Sequence, residues 1–465
     1  MIEPGIFREY DIRGIWEQDL TVETVRAIGR AYAVYLKDHI KKEKPVVSIG
    51  NDARLSSPII NQALREELTS SGIDVINIGM VPTPVQYFSI HQMGLDGGIM
   101  ITGSHNPPEY NGLKLSVGKE TIYGSRIQDV RKLAQEGAST TGQGSTGQGS
   151  TGEGSLRDHD MIADYIEYLL PRFKSLRGLK VVVDAGNGTG GLTGPALMRA
   201  LGADVTELFC EPDGTFPNHH PDPVVEKNLV QLIAKVKETG AHAGIGYDGD
   251  ADRIGVVDED GSVIWGDRLM IIFARDILRD NKGATVIGEV KCSQSLYDEI
   301  DKSGGKPIMW KTGHSLIKGK MKETGALLAG EMSGHIFFAD RFFGFDDAIY
   351  ASLRLLEIIK DSGEPYSAAK LLEGVPESVS TPEIRRDCPD DVKFTVAGKM
   401  KGAFTGYPVI DIDGIRINFP DGWGLVRASN TQPALVLRFE AKDQASLEKI
   451  QDKVEAELKK VLDEG

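Results

Sequence analysis

Residues 97–114 read GGIMITGSHNPPEYNGLK, an apolar run that is followed at once by a polar loop. The run at 97–102 has the composition of a buried strand, and Ser104 stands two residues beyond its end. Prolines at 107 and 108 stiffen the loop, which can bring Lys114 back to the same place. A proline-rich connecting turn is the simpler reading. The length of the string instead favours a serine at the end of a strand, where exposed nucleophiles often stand.

Strands and helices alternate along most of the chain. The apolar run at 46–50 precedes a helical stretch at 56–71, and the run at 180–184 precedes a glycine-rich turn and a helical stretch at 194–201. Strands that alternate with helices form parallel sheets covered by helices. The sequence therefore predicts an α/β fold for the larger part of the chain.

The end of the chain has a different pattern. Short apolar runs between 415 and 440 are separated by turn signals and predict antiparallel strands, and the charged amphipathic stretch at 444–462 predicts a helix. Residues 137–155 are mainly Gly, Ser, Thr and Gln in repeated pentads, a composition that cannot bury enough apolar area to offset its ordering entropy. We therefore predict four domains and one flexible linker: 1–137 (α/β), 138–157 (linker), 158–255 (α/β), 256–370 (α/β) and 371–465 (α+β).

The composition is that of a globular protein without a membrane or nucleic-acid partner. The 465 residues suffice for several domains, 40% of them are hydrophobic, and the apolar runs are too short to span a bilayer. No secretory signal is visible at the N-terminus and the three cysteines are widely spaced, so we expect a cytoplasmic protein. The net charge of −15 argues against nucleic acid, and it requires that basic groups converge locally if the protein binds an anion.

Residues 248–253 read DGDADR and place three aspartates at alternate positions. Three carboxylates on a tight loop can converge on one hard cation, although a solvated acidic turn has the same composition. A calcium EF-hand loop is excluded because it requires glycine where Arg253 stands, and because the flanking runs at 243–246 and 254–258 are typical of strands. The pattern favours Mg²⁺, whose octahedral shell phosphate oxygens can complete.

Two further loops carry polar groups. The string GEMSGH at 330–335 offers a carboxylate and a hydroxyl suited to vicinal sugar hydroxyls, and a histidine for phosphate or a proton, although by itself it fits any polar turn. The string RASNTQP at 427–433 places Arg427 beside hydroxyl and amide groups, which suits phosphate oxygens, with a hydrophilic hairpin loop as the alternative. The segments FREYDIRG at 7–14 and KTGH at 311–314 are also basic and contain glycine.

Residues 186–191 read GNGTGG and fit the GxGxxG pattern of dinucleotide-binding proteins. The pattern follows a predicted strand, and Glu207 stands at the end of the next one. An oxidoreductase, however, would leave Ser104, the aspartate loop at 248–253 and the Arg427 loop at 427–433 without a role. We therefore interpret the pattern as a tight turn between a strand and a helix.

The strings TGSHNPPEYNGLK, DGDADR, GEMSGH and RASNTQP occur in this order along the chain. Together with FREYDIRG and with KTGHSLIKGKMKETG at 311–325, they resemble the motifs of the α-D-phosphohexomutase family, most closely those of its bacterial phosphomannomutase/phosphoglucomutase members. The resemblance covers nearly the whole chain and departs from the family at the repeat of 137–155. It implies four domains around a central cleft, three related α/β domains and a C-terminal α+β domain, each of which contributes one loop.

The resemblance also implies roles for individual residues. Ser104 is expected to carry a phosphoryl group and to bind Mg²⁺ together with Asp248, Asp250 and Asp252. The residues implied in proton transfer and charge neutralisation are Arg13, Lys114, His314 and His335. Those implied in substrate binding are Tyr10, Arg253, Lys291, Glu331, Ser333, Arg427, Ser429, Asn430 and Thr431.

The activity that the resemblance implies is the interconversion of hexose 6-phosphate and hexose 1-phosphate, with mannose or glucose as the hexose. Phosphoserine is the donor, and hexose 1,6-bisphosphate is both intermediate and activator. The alternatives are a phosphoglucosamine mutase, which Met332 disfavours, and a serine-dependent metal phosphatase, which does not need loops for a second phosphate and for sugar hydroxyls. The expected partners are small phosphosugars, with neither nucleic acid nor membrane, and a monomer is compatible with the sequence.

Overall fold

A computed structural model describes residues 2–137, 153–389, 391–430 and 433–463. These residues form four β-sheets that follow one another along the chain, and the predicted α/β class is confirmed. Short 3-10 helices occur at Pro4–Ile6, Leu170–Arg172, Thr189–Leu192, Glu226–Asn228 and Ala369–Leu372. Over the described ranges, no helix is both long and apolar enough to cross a membrane.

The first sheet contains the strand that precedes Ser104. In chain order its elements are β1 (Ile12–Ile15), α1 (Val22–Ile40), β2 (Val46–Asn51), α2 (Ser57–Ser70), β3 (Asp74–Met80), α3 (Thr83–Met93), β4 (Gly97–Ile101), β5 (Tyr110–Val117), β6 (Glu120–Thr121), α4 (Ser125–Gln135) and β7 (Leu156–Asp158). The strands lie in the order β1-β5-β4-β2-β3-β7, with β6 beside β5. β2 is parallel to β3 and β4, whereas β5 returns antiparallel to β4, so the Ser104 loop connects an antiparallel pair.

One boundary of the predicted linker at 138–157 is wrong. Its last two residues belong to β7, which pairs in parallel with β3 at the edge of the first sheet. The N–H of Ser155, just before this strand, donates to Asp74 Oδ1 at 2.6 Å. The strand is exposed and is held by backbone pairing, so its side chains carry no apolar pattern from which it can be predicted. Residues 138–152 of the repeat lie outside the described residues.

The second sheet carries the aspartate loop. Its elements are α5 (Met161–Leu169), β8 (Lys180–Asp184), α6 (Gly194–Ala200), β9 (Asp204–Leu208), α7 (Val230–Thr239), β10 (Ala243–Tyr247), β11 (Ile254–Asp258) and β12 (Val263–Ile264). The strands lie in the order β12-β11-β10-β8-β9. β8 is parallel to β9 and β10, and β10 and β11 form an antiparallel pair. The aspartate loop is therefore flanked by strands, as its sequence predicts.

The third sheet carries the GEMSGH loop. Its elements are α8 (Gly266–Asp280), β13 (Thr285–Glu289), α9 (Gln294–Lys302), β14 (Lys306–Trp310), α10 (His314–Thr324), β15 (Leu328–Gly330), β16 (Ile336–Phe338) and α11 (Ala348–Asp361). The strands lie in the order β14-β13-β15-β16. β13 is parallel to β14 and β15, whereas β16 pairs antiparallel with β15. The first three sheets thus share one arrangement: parallel strands, followed by an antiparallel return strand whose connecting loop carries a motif.

The fourth sheet is antiparallel throughout the described residues. Its elements are β17 (Val379–Ser380), β18 (Ile384–Asp387), α12 (Lys393–Ala403), β19 (Val409–Ile410), β20 (Ile415–Phe419), β21 (Gly422–Ala428), β22 (Ala434–Ala441) and α13 (Gln444–Asp463). The strands lie in the order β17-β22-β21-β20-β19, with β18 beside β22. The Arg427 loop connects β21 and β22. This part of the chain is α+β, as predicted.

The first three sheets share a hydrophobic core. One continuous cluster of buried apolar residues runs through all three of them, and α3 of the first sheet is buried within it. Phe88 of α3 packs edge-on against Tyr165 of α5, with ring centroids 5.3 Å apart. The fourth sheet has a separate core and meets the third through the small cluster of Val290, Trp423 and Leu425. This packing holds the N-terminus of α3 against the second sheet.

Candidate active site

The Ser104 loop and the aspartate loop meet at their tips. Ser104 Oγ donates to Asp248 Oδ2 at 2.9 Å, and a Cβ on Gly249 would lie 2.6 Å from the carbonyl oxygen of Ser104. The φ angle of Ser104 is +47°, a left-handed conformation that is strained for a residue with a side chain. The sequence predicts an exposed serine, but Ser104 is only 3% exposed because the aspartate loop covers it. Such strain, held in place by surrounding structure, is typical of functional positions.

The three aspartates of the loop are fully buried and converge, with ligand atoms within 4.8 Å of one another. Lys114 Nζ donates to Asp250 Oδ2 at 2.9 Å and to Asp252 Oδ2 at 2.5 Å. Thr83 Oγ1, in the first residue of α3, also donates to Asp250 Oδ2, at 2.6 Å. The Oδ1 atoms of Asp250 and Asp252 have no hydrogen-bond partner among the described residues, a costly state for buried carboxylate oxygens. These two oxygens and those of Asp248 fit a divalent cation with oxygen ligands.

The electrostatics of the aspartate loop favour a cation. Burial, together with the charges of Asp252 and Asp250, raises the pKa of Asp248 well above its usual range. Burial also acts to raise the pKa of Asp250, but the charge of Lys114 and the hydrogen bond from Thr83 outweigh it and hold that pKa below its usual value. The charges of Arg253 and Lys114 lower the pKa of Asp248 but do not return it to its usual range. A divalent cation would stabilise the ionised carboxylates further.

His335 packs against the aspartate loop. Its Nε2 accepts a hydrogen bond from Arg253 Nε at 2.9 Å, and its Nδ1 lies 3.2 Å from Asp346 Oδ2 and 3.6 Å from Asp252 Oδ1. Because Nε2 is an acceptor in this contact, the ring proton belongs on Nδ1, which faces the two carboxylates. The loop between β15 and β16 thus brings a histidine of the third sheet to the aspartates of the second.

His314 and Lys318, both on α10, complete this end of the site. His314 Nδ1 lies 3.6 Å from Asp346 Oδ2, and the centroid of its ring lies 5.5 Å from that of His335. Lys318 Nζ donates to Asp346 Oδ1 at 3.0 Å. Burial and the charge of Lys318 lower the pKa of His314 well below its usual value, so this ring is neutral at neutral pH. Asp346 therefore links two histidines and a lysine.

Arg13 lies beside the Ser104 loop. Its Nη1 donates to Asn106 Oδ1 at 2.6 Å, and its Nη2 pairs with Asp11 Oδ2 at 2.5 Å. The pairing of β1 with β5, the strand after the loop, carries Arg13 to this place. With Lys114 and Arg253, it forms the local concentration of basic groups that a chain of net charge −15 needs in order to bind an anion.

Glu331 and Ser333 form a hydrogen-bonded pair in the GEMSGH loop. Glu331 Oε2 accepts from Ser333 Oγ at 2.9 Å, and Glu331 Oε1 accepts from the N–H of Gly313 at 2.7 Å. Glu289, at the end of β13, accepts from the N–H of Met332 at 3.0 Å. Two carboxylates thus fix the loop from either side.

Lys291 faces two carboxylates, those of Glu383 and Glu289, and Arg427 faces that of Asp413. Lys291 Nζ pairs with Glu383 Oε1 at 2.5 Å, and the charge of the lysine lowers the pKa of Glu383 to about 2 against the effect of burial. Arg427 Nε donates to Asp413 Oδ2 at 3.0 Å. The carboxylates hold both cations in place next to the Arg427 loop, and the charges suit an anionic ligand there.

Tyr10 connects three sheets. Its hydroxyl donates to Thr312 O at 2.8 Å and accepts from Asn430 Nδ2 at 2.6 Å. Its ring lies edge-on to His314, with centroids 5.7 Å apart. Since Asn430 belongs to the Arg427 loop, the tyrosine joins the first sheet to both the third and the fourth.

The structure brings the predicted site residues together in two groups. The aspartate group consists of Arg13, Ser104, Lys114, Asp248, Asp250, Asp252, Arg253, His314 and His335. The Arg427 group consists of Tyr10, Lys291, Glu331, Ser333, Arg427, Ser429 and Asn430. The two groups touch where Tyr10 meets His314. Thr431, also predicted to bind substrate, lies outside the described residues.

The GxGxxG turn supports the aspartate loop. A Cβ on Gly188 would lie 2.6 Å from the carbonyl oxygen of Gly249, and the N–H of Thr189 donates to that same oxygen at 3.1 Å. Glycine at 188 is therefore needed for the close approach of two backbones. This geometry agrees with the interpretation of the pattern as a tight turn.

Several residues of the site lie outside the quoted motifs. They are Asp52, Arg54, Thr83, Glu289, Asp346, Glu383 and Asp413. Lys318 lies within the string at 311–325 but is not among the predicted site residues. Three of those outside the motifs have a local signal: Asp52 directly follows β2, Thr83 begins the helix after β3, and Glu289 ends β13. Functional side chains often gather at such strand ends.

Known proteins match this chain along its whole length. Four phosphoglucomutase/phosphomannomutase domain families match consecutive parts: alpha/beta/alpha domain I at residues 4–139, domain II at 163–261, domain III at 265–377 and the C-terminal domain at 383–457. A phosphomannomutase/phosphoglucomutase of Pseudomonas syringae pv. tomato is 48% identical over 458 residues, which cover 98% of this chain and 95% of that protein. The chain belongs to the phosphoglucomutase/phosphomannomutase family.

Two other members of the phosphoglucomutase/phosphomannomutase family agree with this assignment. A phosphoglucomutase of Neisseria meningitidis serogroup A is 46% identical over 460 residues, covering 98% of this chain and 97% of that protein. The crystal structure of a family protein from Burkholderia thailandensis superposes with a TM-score of 0.90 at 44% identity and covers 99% of this chain and 98% of that one. The family resemblance of the motifs and the expected four-domain architecture are confirmed.

Proposed function

We propose that the chain is a phosphohexomutase that interconverts hexose 6-phosphate and hexose 1-phosphate, with mannose or glucose as the hexose. The observation that carries the proposal is the hydrogen bond from Ser104 Oγ to Asp248 Oδ2. Next to it, the Oδ1 atoms of Asp250 and Asp252 have no hydrogen-bond partner among the described residues. It is supported by the 48% identity to a protein named phosphomannomutase/phosphoglucomutase. The substrates are small phosphosugars.

The aspartate loop suits Mg²⁺, with Asp248, Asp250, Asp252 and Ser104 as the residues that would hold it. When bound, Mg²⁺ supplies charge neutralisation for the transferring phosphoryl group. Lys114 donates to two of the carboxylates, so its role is to add positive charge and to orient them. Thr83 orients Asp250 from the neighbouring sheet.

Two phosphoryl transfers through one serine make up the reaction. In the first, the free hydroxyl oxygen of the bound monophosphate forms a bond to the phosphorus of phosphorylated Ser104, and the bond from phosphorus to Ser104 Oγ breaks. The sugar hydroxyl loses its proton, and Ser104 Oγ regains one as the free serine. His314 and His335 border this end of the site and are the candidates for moving that proton, whereas Arg13 and Lys114 supply positive charge there.

The product of the first transfer is hexose 1,6-bisphosphate, which turns end for end before the second. Its other phosphate then returns to Ser104 by the reverse chemistry. The phosphate that does not react binds at the Arg427 loop through Lys291, Arg427, Ser429, Asn430 and Thr431. Because either phosphate must occupy this place, the loop recognises phosphate itself, whereas Glu331 and Ser333 recognise sugar hydroxyls.

A coupled assay with mannose, glucose and glucosamine phosphates tests the proposal, with inorganic phosphate measured in parallel. We expect turnover of mannose or glucose phosphate in both directions, dependence on Mg²⁺ and stimulation by hexose 1,6-bisphosphate. Turnover of glucosamine phosphate alone would identify a phosphoglucosamine mutase, and inorganic phosphate as the main product would identify a phosphatase. The cytoplasmic location and the monomeric state stay predictions of the sequence.

A further inference from the structure

Arg54 is bound almost entirely by the loop that carries Ser104. It follows β2 and is 1% exposed. Its guanidinium donates to four backbone carbonyl oxygens of the loop and its return strand: those of Ser104 at 2.8 Å, Asn106 at 2.6 Å, Pro107 at 2.5 Å and Tyr110 at 2.9 Å. A planar group with five donors suits several acceptors in fixed directions, which a lysine ammonium does not.

Asp52 fixes this guanidinium and the start of the loop together. Its Oδ2 accepts from Arg54 Nε and from the N–H of Gly103, both at 3.0 Å. Its Oδ1 accepts from Ser57 Oγ at 2.6 Å, at the start of α2. The carboxylate therefore ties the residue before Ser104 to a rigid helix and to the arginine.

The close fit between Arg54 and the loop depends on a glycine. A Cβ on Gly103 would lie 2.4 Å from Arg54 Nε, so only glycine allows the guanidinium to reach the carbonyl of the next residue. That next residue is Ser104, whose left-handed φ of +47° requires support from outside the loop. On the other side, Arg54 Cζ lies 5.2 Å from the ring of Phe216 in the second sheet's domain. The guanidinium of Arg54 thus lies between the Ser104 loop and Phe216.

We propose that Arg54 is a positioning residue for Ser104: by holding four loop carbonyls, it keeps the serine in the strained conformation that aims Oγ at the aspartate loop. The inference rests on the proposed function of Ser104 as the phosphoryl carrier. Arg54 acts through the loop backbone, whereas Glu331 and the Arg427 loop bind the substrate elsewhere. Loss of Arg54 should therefore slow transfer to and from the serine and leave the binding of hexose phosphate unchanged.

The test uses Arg54→Lys, which keeps the charge and loses most of the donors, and Gly103→Ala, which keeps Arg54 and displaces its guanidinium. Arg354→Lys is the matched control, because Arg354 is also 1% exposed and bonds Asp340 and Asp276. Three quantities are measured on each folded variant: the single-turnover rate of phosphoryl transfer from glucose 1,6-bisphosphate to Ser104, the dissociation constant of glucose 1-phosphate by calorimetry, and the melting temperature.

We expect Arg54→Lys and Gly103→Ala each to slow the transfer by roughly 10- to 100-fold, since a displacement of about 1 Å at a reacting atom has effects of this size. The dissociation constant should stay at the wild-type value in both, and Arg354→Lys should match the wild type in both quantities. A wild-type transfer rate in both Arg54→Lys and Gly103→Ala would overturn the positioning role. Equal losses of transfer rate and of binding in all three variants would also overturn it. Absence of transfer in the wild type would instead overturn the proposed function of Ser104, and this inference with it.

Discussion

The geometry of single carboxylates in the aspartate loop depends on donors from a different sheet. Asp250 Oδ2 accepts hydrogen bonds from Thr83 Oγ1 and Lys114 Nζ, and both donors belong to the first sheet. The other oxygen of the same carboxylate has no partner among the described residues. Groups that hold the outer oxygen of a metal ligand usually affect metal affinity. Thr83 should therefore influence a metal that it does not touch.

Thr83→Val is expected to weaken Mg²⁺ binding by about tenfold, because valine keeps the shape of threonine but cannot donate to Asp250, and outer-shell losses are typically of this size. Thr83→Ser keeps the hydroxyl and is the matched control, which should bind Mg²⁺ like the wild type. Titration calorimetry with Mg²⁺ alone measures both constants. An unchanged Mg²⁺ affinity in Thr83→Val would show that the hydrogen bond from Thr83 to Asp250 does not contribute to metal binding.

The sequence predicts the loops of the site but not their supports. The motifs around Ser104 and Asp248 are contiguous strings at strand ends, so their chemistry can be predicted from the sequence alone. Thr83, Arg54 and Asp346 lie in segments with ordinary helix or turn patterns, and they acquire their roles from another part of the chain. The burial of Ser104 has the same origin, because its partner Asp248 is 144 residues away.

At the scale of secondary-structure elements, each motif loop joins two antiparallel strands. The pairs are β4–β5, β10–β11, β15–β16 and β21–β22. Strand pairing fixes both ends of each loop, so that strained conformations can be held at the tips, as at Ser104 with φ +47° and Ala251 with φ +57°. The alternation of strands and helices predicts this framework. The exposed edge strand β7 is not predicted, because backbone pairing and polar contacts hold it and its side chains are not buried.

The N-terminus of α11 contains a buried carboxyl group that titrates near neutral pH. Asp347 Oδ1 caps the helix by accepting from the N–H of Tyr350 at 2.8 Å, and its Oδ2 accepts from Tyr165 Oη at 2.7 Å. Burial raises the pKa of Asp347 to about 7, although these hydrogen bonds oppose the shift. A raised carboxyl pKa favours the protonated group in the folded state. Its contribution to stability is therefore largest below the unfolded pKa of about 4 and is lost as the pH rises to about 7.

Asp347→Asn removes this titration and keeps an acceptor that can cap the helix. Between about pH 4 and pH 7, the wild type is expected to lose up to a few kcal/mol of unfolding free energy relative to the variant, since each pKa unit is worth about 1.4 kcal/mol. Urea unfolding of both proteins across this range measures the difference. A difference that does not change with pH would contradict the assigned pKa.

At the scale of the whole molecule, loops from four sheets form one site, and Tyr10 links three of those sheets. The relative placement of the sheets follows from the core shared by the first three and from the contacts of the fourth. Neither is visible in local patterns, because shared cores are made by residues far apart in the chain. The relative placement of the four sheets is predicted by the family resemblance, whereas hydrophobic periodicity predicts only the strands and helices of each sheet.

Tyr10→Phe should raise the KM for both the 1-phosphate and the 6-phosphate by about fivefold, because Asn430 of the Arg427 loop loses a hydrogen bond worth about 1 kcal/mol. The ring contact with His314 remains, so phosphorylation of Ser104 should be unaffected. Tyr407→Phe, which removes a hydroxyl elsewhere on the fourth domain, is the control and should match the wild type. A rise in KM for one substrate alone would be incompatible with a loop that receives both phosphates in turn.

The proposed mechanism depends above all on Ser104 as the carrier of the phosphoryl group. Intact-mass analysis and peptide mapping after charging with glucose 1,6-bisphosphate measure this directly. We expect one phosphoryl group per chain, located on Ser104. If this group is isotopically labelled, added hexose monophosphate should take up the label, while Ser104 is phosphorylated again from the bisphosphate. Ser104→Ala should take up none, and its turnover should fall at least about a thousandfold, because a covalent route is lost. Near-wild-type turnover in Ser104→Ala, or a phosphoryl group on another residue, would contradict the mechanism.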